Sequence, residues 1–166
     1  MRYLVVTMAL AASGARAESD FVVRPLLGIS GSASDSGLGL GAQIGVRVAP
    51  LLLRLTLDIG GNGRARDYIC AAARAGWIHV LDEDVAVVAG LGFGWVDYGF
   101  ILDDPAADVR IFLPEVGFLF GHNRWFGRAM IGATAFVPLE TVSHARDRTG
   151  QEIGPPRAMV TLLLSL

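Results

Sequence analysis

Serine, histidine and glutamate side chains lie close together in one polar segment near the C-terminus. Glu140, Ser143 and His144 are the only candidates for an orienting group, a nucleophile and a base. Adjacent residues of an extended segment point to opposite sides, so Ser143 and His144 are poorly placed to share a proton. No lipase or deacylase motif surrounds them. We therefore expect a solvated loop here and no catalytic residues.

Residues that could bind a metal are few and scattered. His79, His122, His144 and the single Cys70 lack the spacing of a zinc site, and one cysteine cannot form an internal disulfide. His79 and His122 flank short turns, and we interpret them as interface or solvent residues. The glycines of 90–94 recur every second residue within a strand rather than between a strand and a helix, which argues against a nucleotide loop. We expect no metal and no cofactor.

Four charged residues share one phase of the alternating pattern described below: Arg54, Asp58, Arg74 and Glu115. Buried arginines without a partner would be costly, so at least one carboxylate should bind them through charge-assisted hydrogen bonds. We expect a structural charge cluster in which Arg54 and Arg74 lie near Glu115 and Asp58. Separate water pockets for these charges are the alternative.

The first seventeen residues have the pattern of a secretory signal peptide. Arg2 precedes an uncharged, mostly apolar stretch at 3–12, and small residues follow, ending at Ala15 and Ala17. The apolar stretch is too short for a helix that crosses a bilayer, which needs ~20 residues. We expect cleavage after Ala17, which leaves one mature domain at 18–166.

The mature chain is mildly acidic and strongly apolar. Twelve arginines, no lysine and sixteen acidic residues remain after the signal peptide. The arginines are scattered, which argues against a nucleic-acid partner. Apolar residues make up 52% of the full sequence, and the mean hydropathy is +0.48. No mature segment runs ~18 apolar residues without interruption, which excludes a helical membrane protein.

Apolar residues alternate with polar or small ones along the mature chain. In the third predicted strand, Leu51, Leu53 and Leu55 fall on one face, and Arg54 and Thr56 fall on the other. A period of two residues indicates β-structure. The pattern predicts eight strands, at 21–30, 37–48, 51–60, 69–80, 85–95, 112–120, 128–139 and 157–166. Strands of about 9 to 11 residues can cross a bilayer at a tilt. The sequence thus predicts an all-β, eight-stranded antiparallel up-and-down transmembrane β-barrel.

The cost of exposing arginine to lipid decides which face is outside. An arginine facing the bilayer centre costs roughly 2 to 4 kcal/mol. An inverted barrel would expose Arg54, Arg74 and Glu115 to lipid, at a cost approaching the whole stability of a domain, about 5 to 15 kcal/mol. We place the leucine, valine and alanine face outside. The soluble alternative, a periplasmic sandwich or lipocalin-like barrel, would need a solvent face made largely of glycine, which weakens strands.

The connections alternate in character along the chain. We expect longer polar loops at 31–36, 61–67, 102–108 and 140–155, and tighter turns at 49–50, 82–84 and 121–127. Outer-membrane barrels have short periplasmic turns and longer external loops, so both mature termini should be periplasmic.

Aromatic residues are expected in girdles at the two membrane interfaces. The outer girdle would contain Tyr68, Tyr98, Phe100 and Phe112. The periplasmic girdle would contain Phe21, Trp77, Phe118, Phe120, Trp125 and Phe126.

Together these features resemble the small eight-stranded outer-membrane barrels of the OmpA and OmpX type, over the whole mature length. The resemblance is architectural. The last predicted strand, with Leu162, Leu164 and Leu166 in one phase, is similar to the C-terminal signal that such barrels present to their insertion machinery. That family usually ends in an aromatic residue, whereas this chain ends in Leu166.

The resemblance implies a location in the bacterial outer membrane, with outer-membrane lipids, lipopolysaccharide and the barrel-insertion machinery as partners. Fold alone does not determine function. An eight-stranded interior is about filled by its own side chains. We therefore favour a non-enzymatic structural or surface-interaction protein with a plugged polar lumen. A narrow small-solute channel, which would conduct after reconstitution, is the first alternative, and a lipid-modifying enzyme is the second.

Overall fold

β-Strands account for most of the chain that the computed structural model describes, residues 23–61, 67–98, 107–122, 128–140, 145–146, 152–153 and 155–165. The strands are β1 (Val23–Ser34), β2 (Gly37–Val48), β3 (Leu51–Gly61), β4 (Tyr68–Val80), β5 (Val85–Tyr98), β6 (Ala107–Phe120), β7 (Arg128–Ala135), β8 (Val137–Pro138), β9 (Ala145–Arg146), β10 (Glu152–Ile153) and β11 (Ala158–Ser165). The predicted signal peptide and Leu166 lie outside the described residues.

Eight of these strands close into an antiparallel barrel, as predicted. Consecutive strands from β1 to β7 pair with each other, β7 pairs with β11, and β11 pairs with β1. β8 continues β7 beyond Phe136 and pairs with β6 in the same register. β9 and β10 form a separate two-stranded sheet.

The two ends of the barrel differ in their connections. We call the end where β2 connects to β3, β4 to β5 and β6 to β7 the turn end, and the opposite end the loop end. β1 begins and β11 finishes at the turn end, which brings both ends of the barrel domain to one side. Among the described residues, no helix is long and apolar enough to cross a membrane.

The first predicted loop is shorter in the structure. Residues 31–34 continue β1 and pair with 37–40 of β2, which leaves only Asp35 and Ser36 as the turn. The prediction that 31–36 is a loop was therefore wrong for its first four residues. The reason is that the small residues keep the two-residue alternation, with Ser32 buried and Ala33 exposed.

The side chains alternate between the two faces of the barrel wall as the sequence predicts. On β3, Leu53 and Leu55 are 43% and 60% exposed, whereas Leu52, Arg54 and Asp58 are at most 6% exposed. The other seven strands of the barrel have the same alternation. Large apolar side chains therefore cover the outside of the barrel, and arginine and glycine lie inside.

Two apolar clusters lie in the interior of the barrel, on either side of its central charges. A loop-end cluster consists of Tyr68, Cys70, Ala72, Val96, Tyr98, Val109, Ile111, Leu113, Phe136 and Met159. A turn-end cluster consists of Leu26, Leu52, Ile78, Ala86, Val88, Leu119, Met130 and Leu163. On β6, Glu115 lies between Leu113 of the first cluster and Leu119 of the second, and on β4 Arg74 lies between Ala72 and Ile78. The charged residues between the two clusters form what we call the central layer, and further buried polar and charged side chains, such as Ser32, Gln43 and Arg47, lie on β1 and β2.

Two tyrosines that were expected in the outer aromatic girdle lie inside the barrel. Tyr68 is 0% and Tyr98 is 2% exposed, and both belong to the loop-end cluster. Their placement in a girdle was wrong, because both tyrosines share the inward phase of Arg74 and Val96 on the same strands. Phe112 does face outward, with its ring centroid 5.1 Å from that of Phe93. Phe21, Phe100, Trp125 and Phe126 lie outside the described residues.

Inward glycines are required where strands and side chains crowd the interior. A Cβ atom on Gly94 would lie 2.7 Å from the Cα and Cβ atoms of Ala72 and would also collide with the carbonyl oxygen of Ala71. On the outer face, a Cβ on Gly31 would meet no atom within 4 Å. We therefore expect Gly94→Ala to destabilise the folded barrel by about 1–3 kcal/mol, the range for overpacking a core.

The change is measured as the free energy of urea-induced unfolding, with Gly31→Ala as the matched control. Gly31→Ala should leave that free energy within about 0.5 kcal/mol of the wild-type value, as is usual for surface changes. Equal effects of the two substitutions would contradict the inward assignment of Gly94.

Candidate functional site

Glu115 binds both buried arginines at the centre of the barrel. Its Oε1 accepts a hydrogen bond from Arg54 Nη2, and its Oε2 accepts one from Arg74 Nη1 at 2.6 Å. Arg74 also donates to Thr134 Oγ1 at 2.9 Å and to Thr56 Oγ1 at 3.3 Å. None of the three charged side chains is more than 8% exposed. They form a buried triad in which one carboxylate bridges two guanidinium groups.

The register of β3 and β4 makes this carboxylate necessary. Arg54 and Arg74 are directly opposite each other in the β3–β4 ladder. Like charges in this position destabilise a sheet, and burial increases the cost. Glu115 comes from β6, which does not pair with either strand, and reaches the arginines across the interior. The triad therefore links distant strands of the barrel wall.

Glycines opposite the arginines make room for their long side chains. Gly45 pairs with Arg54 in the β2–β3 ladder, and Gly92 pairs with Arg74 in the β4–β5 ladder. A Cβ atom on either glycine would lie 2.9 Å from the Cγ atom of its arginine partner. A larger residue at 45 or 92 would therefore displace a member of the triad.

Asp58 lies beside the triad without an ion pair to its arginines. The side chain is 3% exposed, and its Oδ1 accepts a hydrogen bond from Ser30 Oγ at 3.4 Å. The structure thus brings Arg54, Arg74 and Glu115 into contact and places Asp58 in the same pocket, with no salt bridge from it to either arginine. With Asp58 ionised, two positive and two negative groups balance in this layer.

A second group of arginines, which the sequence analysis did not recognise as a group, lies at the turn end. Arg24 and Arg47 pair directly between β1 and β2, and both donate to the main-chain oxygen of His122, Arg24 at 3.2 Å. Arg128 donates to the main-chain oxygen of Pro25 at 3.1 Å. The inward phase of Arg24 and Arg47 was visible in the sequence. Their acceptors are main-chain carbonyls, which residue types do not reveal.

His122 is buried, so its interpretation as an interface or solvent residue was wrong. It is 1% exposed, in the turn that follows β6. Burial lowers the pKa of its imidazole, and the positive charge of Arg47 lowers it further, against a hydrogen bond to the main chain of Asp84 that raises it. His79, in contrast, is exposed near the end of β4.

Of the three residues considered for catalysis, Glu140 lies in the described part of the chain. It is exposed, and its Oε1 accepts a hydrogen bond from the main-chain nitrogen of Arg110 at 2.7 Å. The main-chain nitrogen of Leu139 also donates to the oxygen of Arg110, at 2.9 Å. These two bonds tie the chain after β8 to β6. Ser143 and His144 lie outside the described residues.

The central triad is arranged for stability rather than for proton transfer. Both oxygens of the Glu115 carboxylate bind guanidinium groups, so neither is placed to take a proton from a substrate. Cys70 is a buried free thiol within the loop-end cluster. In the described ranges, no group of three histidine, cysteine, aspartate or glutamate side chains could hold a metal ion.

Comparison with known proteins does not assign this chain to a family. No family model matches the chain, and no curated protein matches it. The structure defines an eight-stranded antiparallel closed β-barrel whose interior carries an Arg–Glu–Arg triad between two apolar clusters.

Replacing Glu115 should destabilise the barrel strongly. In Glu115→Gln the two buried guanidinium groups lose their shared counter-charge, and breaking a buried ion pair in this way costs about 3–5 kcal/mol. We expect a loss of that size in the free energy of urea-induced unfolding.

The control removes the whole charged layer in Arg54→Met/Asp58→Asn/Arg74→Met/Glu115→Leu. Because no charge is then left unpaired, this variant should lose less stability than Glu115→Gln. The bridging role of Glu115 would be contradicted if Glu115→Gln were harmless, or if it cost less stability than the fourfold substitution.

Burial of His122 should make stability depend on pH. The folded imidazole has a lowered pKa, so between that pKa and the unfolded value of about 6.5 the unfolded chain binds more protons. The contribution of His122 to stability is therefore complete above about pH 6.5 and is lost as the pH falls through this window.

The measurement is the unfolding free energy between neutral and mildly acidic pH for the wild type, His122→Asn and His79→Gln. The dependence should be weaker in His122→Asn and should persist in His79→Gln, which removes an exposed histidine. An unchanged slope in His122→Asn would show that this imidazole does not titrate differently on folding.

Proposed function

We propose that this protein is an integral β-barrel of the bacterial outer membrane with a non-enzymatic structural or surface-interaction role and a closed interior. In this proposal a signal peptide directs export, and the ends of the barrel domain face the periplasm. The partners are outer-membrane lipids, lipopolysaccharide and the barrel-insertion machinery.

The observation that carries the proposal is the apolar outer face of the barrel. Every barrel strand exposes at least one large apolar side chain. On β3, five outward side chains are 42–60% exposed: Leu51, Leu53, Leu55, Leu57 and Ile59. Monomeric soluble proteins rarely expose a continuous apolar patch of more than a few hundred Å². Lipid is the surrounding that makes such a face favourable.

The positions of exposed charges support the same surroundings. Among the described residues, charged side chains of the exposed class lie in turns or near strand ends: Asp35, Asp82, Glu83, Asp84, Asp108, Arg110, Glu140 and Arg157. Mid-strand charges such as Arg54 and Arg74 point inward and are buried. A soluble barrel can carry charged residues in the middle of its outer face, whereas charged residues that face lipid at this depth are destabilising.

The two buried apolar clusters support a structural role over a channel. A polar path through the barrel would have to pass the loop-end and turn-end clusters, whose residues are at most 7% exposed. On β4 and β6 these clusters lie between the central charges and the two ends of the barrel. We therefore keep the narrow channel as an alternative and place the closed interior in the main proposal.

The last strand supports insertion by the barrel machinery. Leu162 and Leu164 face outward and are 47% and 50% exposed, while Leu163 and Ser165 face inward and are buried. This alternation is the feature that the sequence shares with C-terminal insertion signals. Leu166, the third residue of the expected signal, lies outside the described residues.

Arginine substitutions at two depths on β3 test whether the outer face meets lipid. Leu55 is in the middle of the strand, and Leu51 is its first residue at the turn end. In lipid, Leu55→Arg should lower the unfolding free energy by about 2–4 kcal/mol and Leu51→Arg by about 0–1 kcal/mol.

The proteins are refolded into phospholipid vesicles and unfolded with urea, and the native protein is followed in outer-membrane and soluble periplasmic fractions. In water both positions are already exposed, so both variants would change stability by less than about 0.5 kcal/mol. Equal, small effects together with a soluble periplasmic location would overturn the membrane proposal.

A further inference from the structure

A small cavity lies in the central layer of the barrel. Its volume is about 20 Å³, and its lining includes Arg54, Asp58, Thr161, Gln43 and Gly132. A water molecule needs a cavity of roughly 10–15 Å³, together with two to four polar partners. The cavity is therefore of a size for one water molecule and too small for a solute.

Two buried polar atoms in the cavity wall have no hydrogen-bond partner among the described residues. They are the Nε atom of Arg54 and the Oγ1 atom of Thr161. Buried polar groups in folded proteins are nearly always hydrogen-bonded, to protein or to ordered water. The triad does not satisfy the Nε atom, since Arg54 binds Glu115 through Nη2.

Asp58 also has unused hydrogen-bonding capacity in the same wall. A carboxylate can accept about four hydrogen bonds, and the contact found for Asp58 is the 3.4 Å bond from Ser30 to Oδ1. The cavity thus offers a fixed donor in Arg54, an acceptor in Asp58 and a hydroxyl in Thr161 that can do either. Water, with two donors and two acceptors, matches this set.

The charge of the layer distinguishes water from an ion. Arg54 and Arg74 balance Asp58 and Glu115, so a monovalent anion or cation in the cavity would add an uncompensated buried charge. A neutral ligand leaves the balance intact.

We propose that the centre of the barrel is a binding site for one ordered water molecule, held by Arg54 Nε, Thr161 Oγ1 and the carboxylate of Asp58. The loop-end and turn-end clusters cover the site on both sides, so the water exchanges slowly with bulk solvent. The site depends on the barrel interior and not on the surroundings of the outer face.

Two substitutions remove the site in different ways. Thr161→Val deletes the hydroxyl and keeps the shape of the side chain. Gly132→Ala puts a methyl group into the cavity wall, where the nearest atom is the flexible Met130 Cε at 3.3 Å. Gly31→Ala is the matched control, because a Cβ atom at Gly31 meets nothing within 4 Å on the outer face.

The folded protein in detergent is examined by high-resolution crystallography and by magnetic relaxation dispersion of water, which counts long-lived internal water molecules. We expect a density peak within hydrogen-bond distance of Arg54 Nε and Thr161 Oγ1. Compared with the wild type, one long-lived water should be lost in Thr161→Val and in Gly132→Ala and retained in Gly31→Ala.

Three results would overturn the inference. They are the absence of density and of long-lived water in the wild type, an unchanged water count in both cavity variants, and an anomalous signal at the site from crystals soaked in bromide or rubidium, which would show an ion. A peak at the site combined with a soluble periplasmic location would support the water site and reject the membrane proposal. The two proposals therefore fail separately.

Discussion

Two arginines inside a narrow barrel must share one carboxylate, and much of the interior follows from that constraint. Arg54 and Arg74 face each other across neighbouring strands, where their charges repel. Glu115 bonds to both arginines, one carboxylate oxygen to each. Since it comes from β6, the bridge forms only when the sheet has curled far enough to bring β6 opposite β3 and β4. Closing the barrel and neutralising the arginines are thus the same event.

The space that the triad occupies explains the composition of the inner face. A long arginine side chain fits beside a neighbouring strand only where that strand has no side chain. Gly45 and Gly92 lie opposite the two arginines. Glycine residues weaken a strand. The glycines opposite the arginines therefore lower the intrinsic stability of their strands but make room for the charged triad. The outer face has no such restriction, and it carries the large apolar residues.

Strand number and the two faces could be predicted because the two-residue period is local information that every strand repeats. Tyr68 and Tyr98 could also have been placed by phase, since they share the inward phase of Arg74 and Val96. The error came from giving the interfacial preference of aromatic residues more weight than the strand period. The burial of His122 is a different case, because its partners, Arg24 and Arg47, contact a main-chain oxygen. Nothing in a sequence specifies which carbonyl a distant arginine will find, and the same holds for the choice of Glu115 over Asp58 as the bridging carboxylate.

The positions of the two apolar clusters along the barrel indicate the role of the central charges. Residues that conduct have to form a continuous polar path, and on β6 the single charge of the central layer is flanked inside the barrel by Leu113 and Leu119. Charges buried in this way interact more strongly than exposed charges, because the effective dielectric constant around them is lower. Incorrect strand pairing would cost stability, because a register shift of one residue turns Arg54 or Arg74 toward the outer face. The triad therefore favours one strand register. It stabilises the closed arrangement in which both arginines contact Glu115, and it disfavours other strand registers.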